Sequence, residues 1–108
     1  MKYPTELQLL EFFGVEPDVQ EDVITFKVSD ESGASLTLSF NTADDSLQTS
    51  IQFAGRVVAS VCHEGMIRLW IDDGILMAEF LHENVRMTAK IKWHPSIYIE
   101  WNGLIGRM

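Results

Sequence analysis

Cys62, His63 and Glu64 stand side by side, and a thiol beside an imidazole and a carboxylate is the set from which a nucleophile and its base are made. Neighbours on a strand point to opposite faces, which separates Cys62 from His63 and leaves Cys62 as a small buried core residue. His63-Glu64 and His82-Glu83 repeat a pair that an antiparallel meander would return to the same end of a sheet. Two strand spacings, roughly 10 Å, are too wide for both imidazoles to reach one ion easily, so both pairs read as turn-flanking polar residues and no metal is assigned. Asp44-Asp45 and Asp72-Asp73 are paired carboxylates, but adjacent acids in tight turns hydrogen-bond their own backbone. Neither pair lies in an Asp-x-Asp-x-Asp-Gly calcium pattern. Catalysis by carboxyl groups needs two of them facing across a cleft. No catalytic or cofactor-binding residue is assigned, and the chain reads as a non-enzyme.

Charge is the stronger signal. From Met1 to Ala54 ten carboxylates face two lysines, an excess of eight, whereas from Gly55 onward six acids meet six bases. Unbalanced charge costs self-repulsion and speeds encounter with an opposite charge, so the first half implies a basic partner. Asp18, Glu21, Asp22, Asp30, Glu31, Asp44 and Asp45 are the residues expected to face it. Direct nucleic-acid binding is excluded, because phosphate neutralisation needs clustered lysine and arginine. At 108 residues and 46% apolar, the chain is expected to form one domain over 1–108 with its own core. The start lacks a basic segment followed by an apolar one, no apolar run approaches membrane-spanning length, and the one cysteine suits a reducing compartment. A cytoplasmic protein is the expectation.

The elements that must position these residues are readable from period and punctuation. Thr5 can cap the amide of Gln8 while the Gln8 side chain reaches back, and Gly14 supplies a left-handed stop, predicting a helix over Thr5 to Phe13. Its apolar residues, Leu7, Leu9, Leu10, Phe12 and Phe13, form a broad face that must dock on something. Glu16 to Asp22 reads as an acidic loop. From Val23 the period becomes two, with turn residues at short intervals, the pattern of an antiparallel meander.

Turn chemistry then predicts register. A two-residue Asp73-Gly74 turn sets Ile71 against Leu76, Leu69 against Ala78 and Ile67 against Phe80, with Trp70 opposite Met77 and Arg68 opposite Glu79 on the other face. A turn at Glu83-Asn84 sets Phe80 against Met87, Ala78 against Ala89 and Leu76 against Ile91. A loop at His94-Pro95-Ser96 sets Ile91 against Ile99 and Lys90 against Glu100. Trp93 and Trp101 fall on the apolar face. Trp70, Met77 and Tyr98 point outward beside charge, and Trp70 and Tyr98 join the candidate partner-binding residues as interface anchors. The fold class is α+β, mainly β: one N-terminal helix and a strongly curved antiparallel meander of about seven to eight strands.

The opening Leu9-Leu10-Glu11-Phe12-Phe13-Gly14-Val15-Glu16-Pro17, an amphipathic helix ending in Phe-Phe-Gly before an acidic loop and a short-stranded meander, resembles small bacterial immunity proteins. These are the antidotes of polymorphic-toxin and contact-dependent growth-inhibition systems. The resemblance implies a cytoplasmic protein without catalysis that binds one cognate, basic, nuclease-type toxin domain and blocks its active site. Two other readings stand beside it: a curled β-domain enclosing a small apolar ligand, and a subunit joined to a larger assembly through an exposed sheet edge.

Overall fold

The computed structural model describes residues 3–103. Helix α1 spans Glu6–Phe13 and is followed by β1 (Asp18–Gln20), β2 (Val23–Ser29), β3 (Ser35–Asn41), β4 (Ser46–Phe53) and β5 (Arg56–His63). Then come β6 (Met66–Asp72), β7 (Ile75–His82), β8 (Val85–Lys92) and β9 (Tyr98–Asn102). The strands form two antiparallel sheets, β1-β2-β3-β4-β5 and β6-β7-β8-β9, each a meander in chain order.

The helix begins and ends where its capping residues dictate. Thr5 Oγ1 accepts from the Gln8 amide at 3.1 Å, the Thr5 amide donates to Gln8 Oε1 at 2.8 Å, and Gly14 adopts φ 71° as the left-handed cap. Only Leu9 and Phe13 of the broad apolar face are buried. The Phe13 ring stacks on Phe26 at 4.2 Å, and Trp93 Nε1 donates to the free carbonyl of Phe12 at 2.8 Å. The last helical turn is thereby tied to β2 and to the loop after β8.

Alternate residues of both sheets meet in one core. Leu36, Leu38 and Phe40 of β3 join Phe26, Val28 and Leu47 from the first sheet, opposite Leu76, Ala78 and Phe80 of β7 and Met87, Ala89 and Ile91 of β8. The space between the sheets is filled by side chains almost wholly shielded from water, so no ligand is enclosed among these residues.

The later register is as the turns predict. Asp73-Gly74 and Glu83-Asn84 have both residues at positive φ, as a two-residue hairpin turn of matching twist requires. Leu69 pairs with Ala78, Trp70 with Met77, Phe80 with Met87, Leu76 with Ile91, Ile91 with Ile99 and Lys90 with Glu100. Trp93 and Trp101 pack partly buried against the core.

The fold is α+β and mainly β, as expected, and four details within it differ. Phe80 pairs with Met66 rather than Ile67, because the register shifts there and Ile67 is turned to the surface while Met66 is buried. The Met66 amide donates to the Asp45 carbonyl at 2.9 Å, which anchors the strand start to the first sheet. The acidic stretch contains a strand, β1, bringing the count to nine among the described residues. The meander splits into two sheets instead of curling as one: Gly65, at φ +82°, carries the chain from β5 into the second layer, which covers the apolar face that one helix cannot. Its Leu81 contact is close enough that an added Cβ would lie 2.9 Å from the Leu81 carbonyl oxygen. Finally, Cys62 is exposed rather than buried, because β5 is an edge strand and its outer residues have no covering layer.

Candidate functional site

In a meander, successive turns fall at alternate ends of the sheet, and that parity sorts the acids. The β1–β2 turn carries Glu21 and Asp22, and the β3–β4 turn carries Asp44 and Asp45. The two turns touch, since the Thr42 amide and hydroxyl both donate to the Asp22 carbonyl, at 2.9 and 3.3 Å. Through the Met66–Asp45 bond and the Leu81 amide on the Gly65 carbonyl, the same end continues to Glu64 and Glu83. Asp18 stands exposed on β1 beside them.

Asp30 and Glu31 sit in the β2–β3 turn, at the opposite end. Asp30 Oδ1 accepts from the Ser32 hydroxyl and from the amides of Ser32 and Ala34, and Oδ2 accepts from the Ile97 amide at 2.9 Å. The Ser32 hydroxyl first, with the Ile97, Ala34 and Ser32 amides, holds this carboxyl down at about 2. Asp30 is a clamp between a turn and the loop after β8 rather than a free charge. Glu31 lies 3.4 Å from His94. Asp30→Asn loses the charged acceptor at Ile97, and the sign of its pH dependence follows. The folded carboxyl titrates below the unfolded value of about 3.9, so its contribution is fully present above that value and is lost as pH falls through about 2. Urea midpoints should show wild type ahead of Asp30→Asn at neutral pH, with the gap closing between about pH 5 and pH 2.

Asp45 is half-buried and accepts from the Tyr3 hydroxyl at 3.1 Å. Burial, then this hydrogen bond, pushes Tyr3 up to about 12. Asp44 accepts from the Ser46 hydroxyl at 2.7 Å. Among the described residues, none of Asp18, Glu21, Asp22, Asp44 and Asp45 forms an ion pair with lysine or arginine.

Trp70 and Tyr98 lie elsewhere, on the outer face of the second sheet. Arg68 covers the Trp70 ring at 4.0 Å, Arg86 pairs with Glu79, and the Tyr98 hydroxyl donates to Glu100 at 3.0 Å. That face is charged but internally neutralised. The structure therefore divides the nine sequence-predicted residues among three places: five acids at one end, two at the other, two aromatics on a separate face.

Side chains that sequence reasoning did not single out complete the first of these places. Leu7 and Val19 are 64% and 57% exposed, with Leu10 and Val15 also open to water. Leu10, Pro17 and Val19 line a groove of about 270 Å³ between α1 and β1, with Glu6 and Glu16 on its walls. From Tyr3 to Phe26 the sequence has six carboxylates and no lysine, arginine or histidine. An apolar centre with a polar rim is the anatomy of a protein-binding patch. The signal was present in the helix, where five of eight residues are apolar while docking buries Leu9 and Phe13 and, in part, Phe12.

The nucleophile set does not assemble. Cys62 is exposed, while the neighbouring His63 ring packs against Phe80 and Trp101 at 5.8 and 5.6 Å. His63 and His82 line one cleft of about 550 Å³, yet among the described residues no three histidine, cysteine or acidic side chains are grouped to hold an ion. No helix among them is long and apolar enough to cross a membrane.

No family model matches the chain, and no curated protein matches it in sequence. Its fold is similar to that of a chain in the solved "Contact-dependent growth inhibition toxin - immunity protein complex from Klebsiella pneumoniae 342", at 21% identity and a TM-score of 0.82. With 92% of this chain and 93% of that chain covered, the likeness extends over nearly the whole of both rather than a common fragment.

Proposed function

We propose that this chain is an immunity protein of a contact-dependent growth-inhibition system, acting in the cytoplasm by binding a cognate toxin domain without chemistry of its own. The observation that carries the reading is the whole-chain likeness to a component of a toxin–immunity complex. The immunity role is favoured over the toxin role by two features of this chain. Its candidate catalytic groups are separated or tied into turns, and its α1–β1 face combines carboxylates that pair with no lysine or arginine among the described residues with exposed leucine and valine. Such a face suits a basic cleft, the kind a nuclease-type toxin needs for its substrate's phosphates. Covering that cleft would exclude the substrate.

Two experiments test this. Co-expression with the toxin domain encoded beside it should restore growth to cells that the toxin alone arrests. The association rate of the purified pair should fall by roughly an order of magnitude or more between low and high salt, as steering by opposite charge requires. Failure of rescue, or association indifferent to salt together with indifference to Asp22→Lys and Asp44→Lys, contradicts the reading.

A further inference from the structure

The β4–β5 hairpin is the electrical opposite of the α1–β1 face. From Ser46 to His63, eighteen residues, there is no carboxylate, and Arg56 is the one lysine or arginine. Among the described residues β5 pairs only with β4, so the backbone groups on its other side can join another strand. Val57 and Val58 are 59% and 62% exposed, and Phe53 at the hairpin mouth is also open. The devices that protect an edge are sparse here: no proline and no lysine lies in β5, and its one irregularity, opposite Ile51/Gln52, leaves Ala59 to His63 in regular register. The other sheet edges differ. β1 has three residues, β6 carries Arg68 and Asp72 and a register shift, and β9 has five residues including Glu100.

We propose that β5 is a self-association edge, pairing antiparallel with β5 of a second copy to make one ten-stranded sheet across a two-fold axis. The charge distribution selects this occupant. In a molecule of net charge −8 the acidic α1–β1 face and its turns repel a second copy, and the carboxylate-free hairpin is a strand edge where two copies can meet without opposing acids. A basic partner gains nothing there. Two-fold strand pairing requires one residue to face its own copy. Centring on Ser60 sets Ala59 against Val61 of the second copy, twice by symmetry, within the stretch that keeps regular register, so the middle of the paired strands is small and uncharged.

Sedimentation of the isolated protein, with no toxin present, keeps this test separate from the immunity reading. The mass should rise from 12.3 kDa toward twice that value as concentration increases from about 1 to about 200 μM. Val57→Lys with Val58→Lys should weaken dimerisation about tenfold or more, with circular dichroism unchanged. Ser60→Cys in a Cys62→Ser background should form a disulfide-linked dimer on mild oxidation, since facing residues lie about 4.5–5.5 Å apart at Cα, within disulfide range. Gln48→Cys in the same background, on the neighbouring strand, should not. A chain monomeric throughout, a dimer indifferent to the two lysines, or equal cross-linking at Gln48→Cys and Ser60→Cys overturns the proposal.

Discussion

With Leu10 and Val19 both changed to aspartate, the protein is expected to bind the toxin domain proposed as its partner about 100- to 1,000-fold more weakly while keeping its fold. Both side chains are exposed and line the α1–β1 groove, so neither supports the core. Burying each against a partner is worth about 1.5–2 kcal/mol at the centre of an interface, and two such losses give about 3–4 kcal/mol. Each 1.4 kcal/mol is a factor of ten in the dissociation constant. Aspartate sharpens the test, because it adds negative charge. If charge alone governed binding to a basic toxin, the double variant would bind as well as wild type or better. Calorimetric titration, with thermal unfolding as the control for folding, decides between them.

Phe13→Ala is expected to be the most damaging single change to stability, lowering it by about 3–5 kcal/mol. The ring is wholly buried and stacks on Phe26, and it is the larger of the two helical residues inside the core. An eight-residue helix does not persist on its own, so its attachment to the sheets is what keeps it formed. Such a loss is a large share of a stability of about 5–15 kcal/mol, and the melting temperature should fall by roughly 15–25 °C. Because α1 forms one wall of the groove, toxin binding should weaken in the same variant even well below its melting point. An unfolding free energy from urea titration that changes by less than about 1 kcal/mol would mean that the helix is not anchored as described.

The parts of this fold set by neighbouring residues were legible in the sequence. The helix ends follow from Thr5, Gln8 and Gly14, and the β7–β8 and β8–β9 registers follow from turn residues and alternation. The departures were set by distant contacts. Ile67 yields its core place to Met66 where the strand start is fixed by Asp45, about twenty residues earlier. β1 exists because Val19 pairs with Ile24, although one valine among acids carries no strand pattern of its own. The passage from the first sheet to the second runs through Gly65, whose close approach to Leu81 is visible only in the fold.

The site was legible in part. Charge asymmetry located the acidic half, but placing Asp30 and Glu31 with the others overlooked the alternation of turns between ends of a meander. Asp30 is spent on four hydrogen bonds, which a list of acids cannot reveal. Leu7 and Leu10 were hidden for the opposite reason. An apolar residue in an amphipathic helix is assigned to the core by default, and only the observed docking angle shows which ones the core leaves over.

Hydrogen exchange of the protein with and without its toxin domain tests the central claim most directly. If the acidic α1–β1 face is the toxin-binding surface, amides over residues 6–26 and in the 42–45 turn should exchange more slowly in the complex, with the outer face of β7 to β9 unchanged. Slowed exchange confined to β6 to β9, with α1 and β1 exchanging as in the free protein, would contradict it.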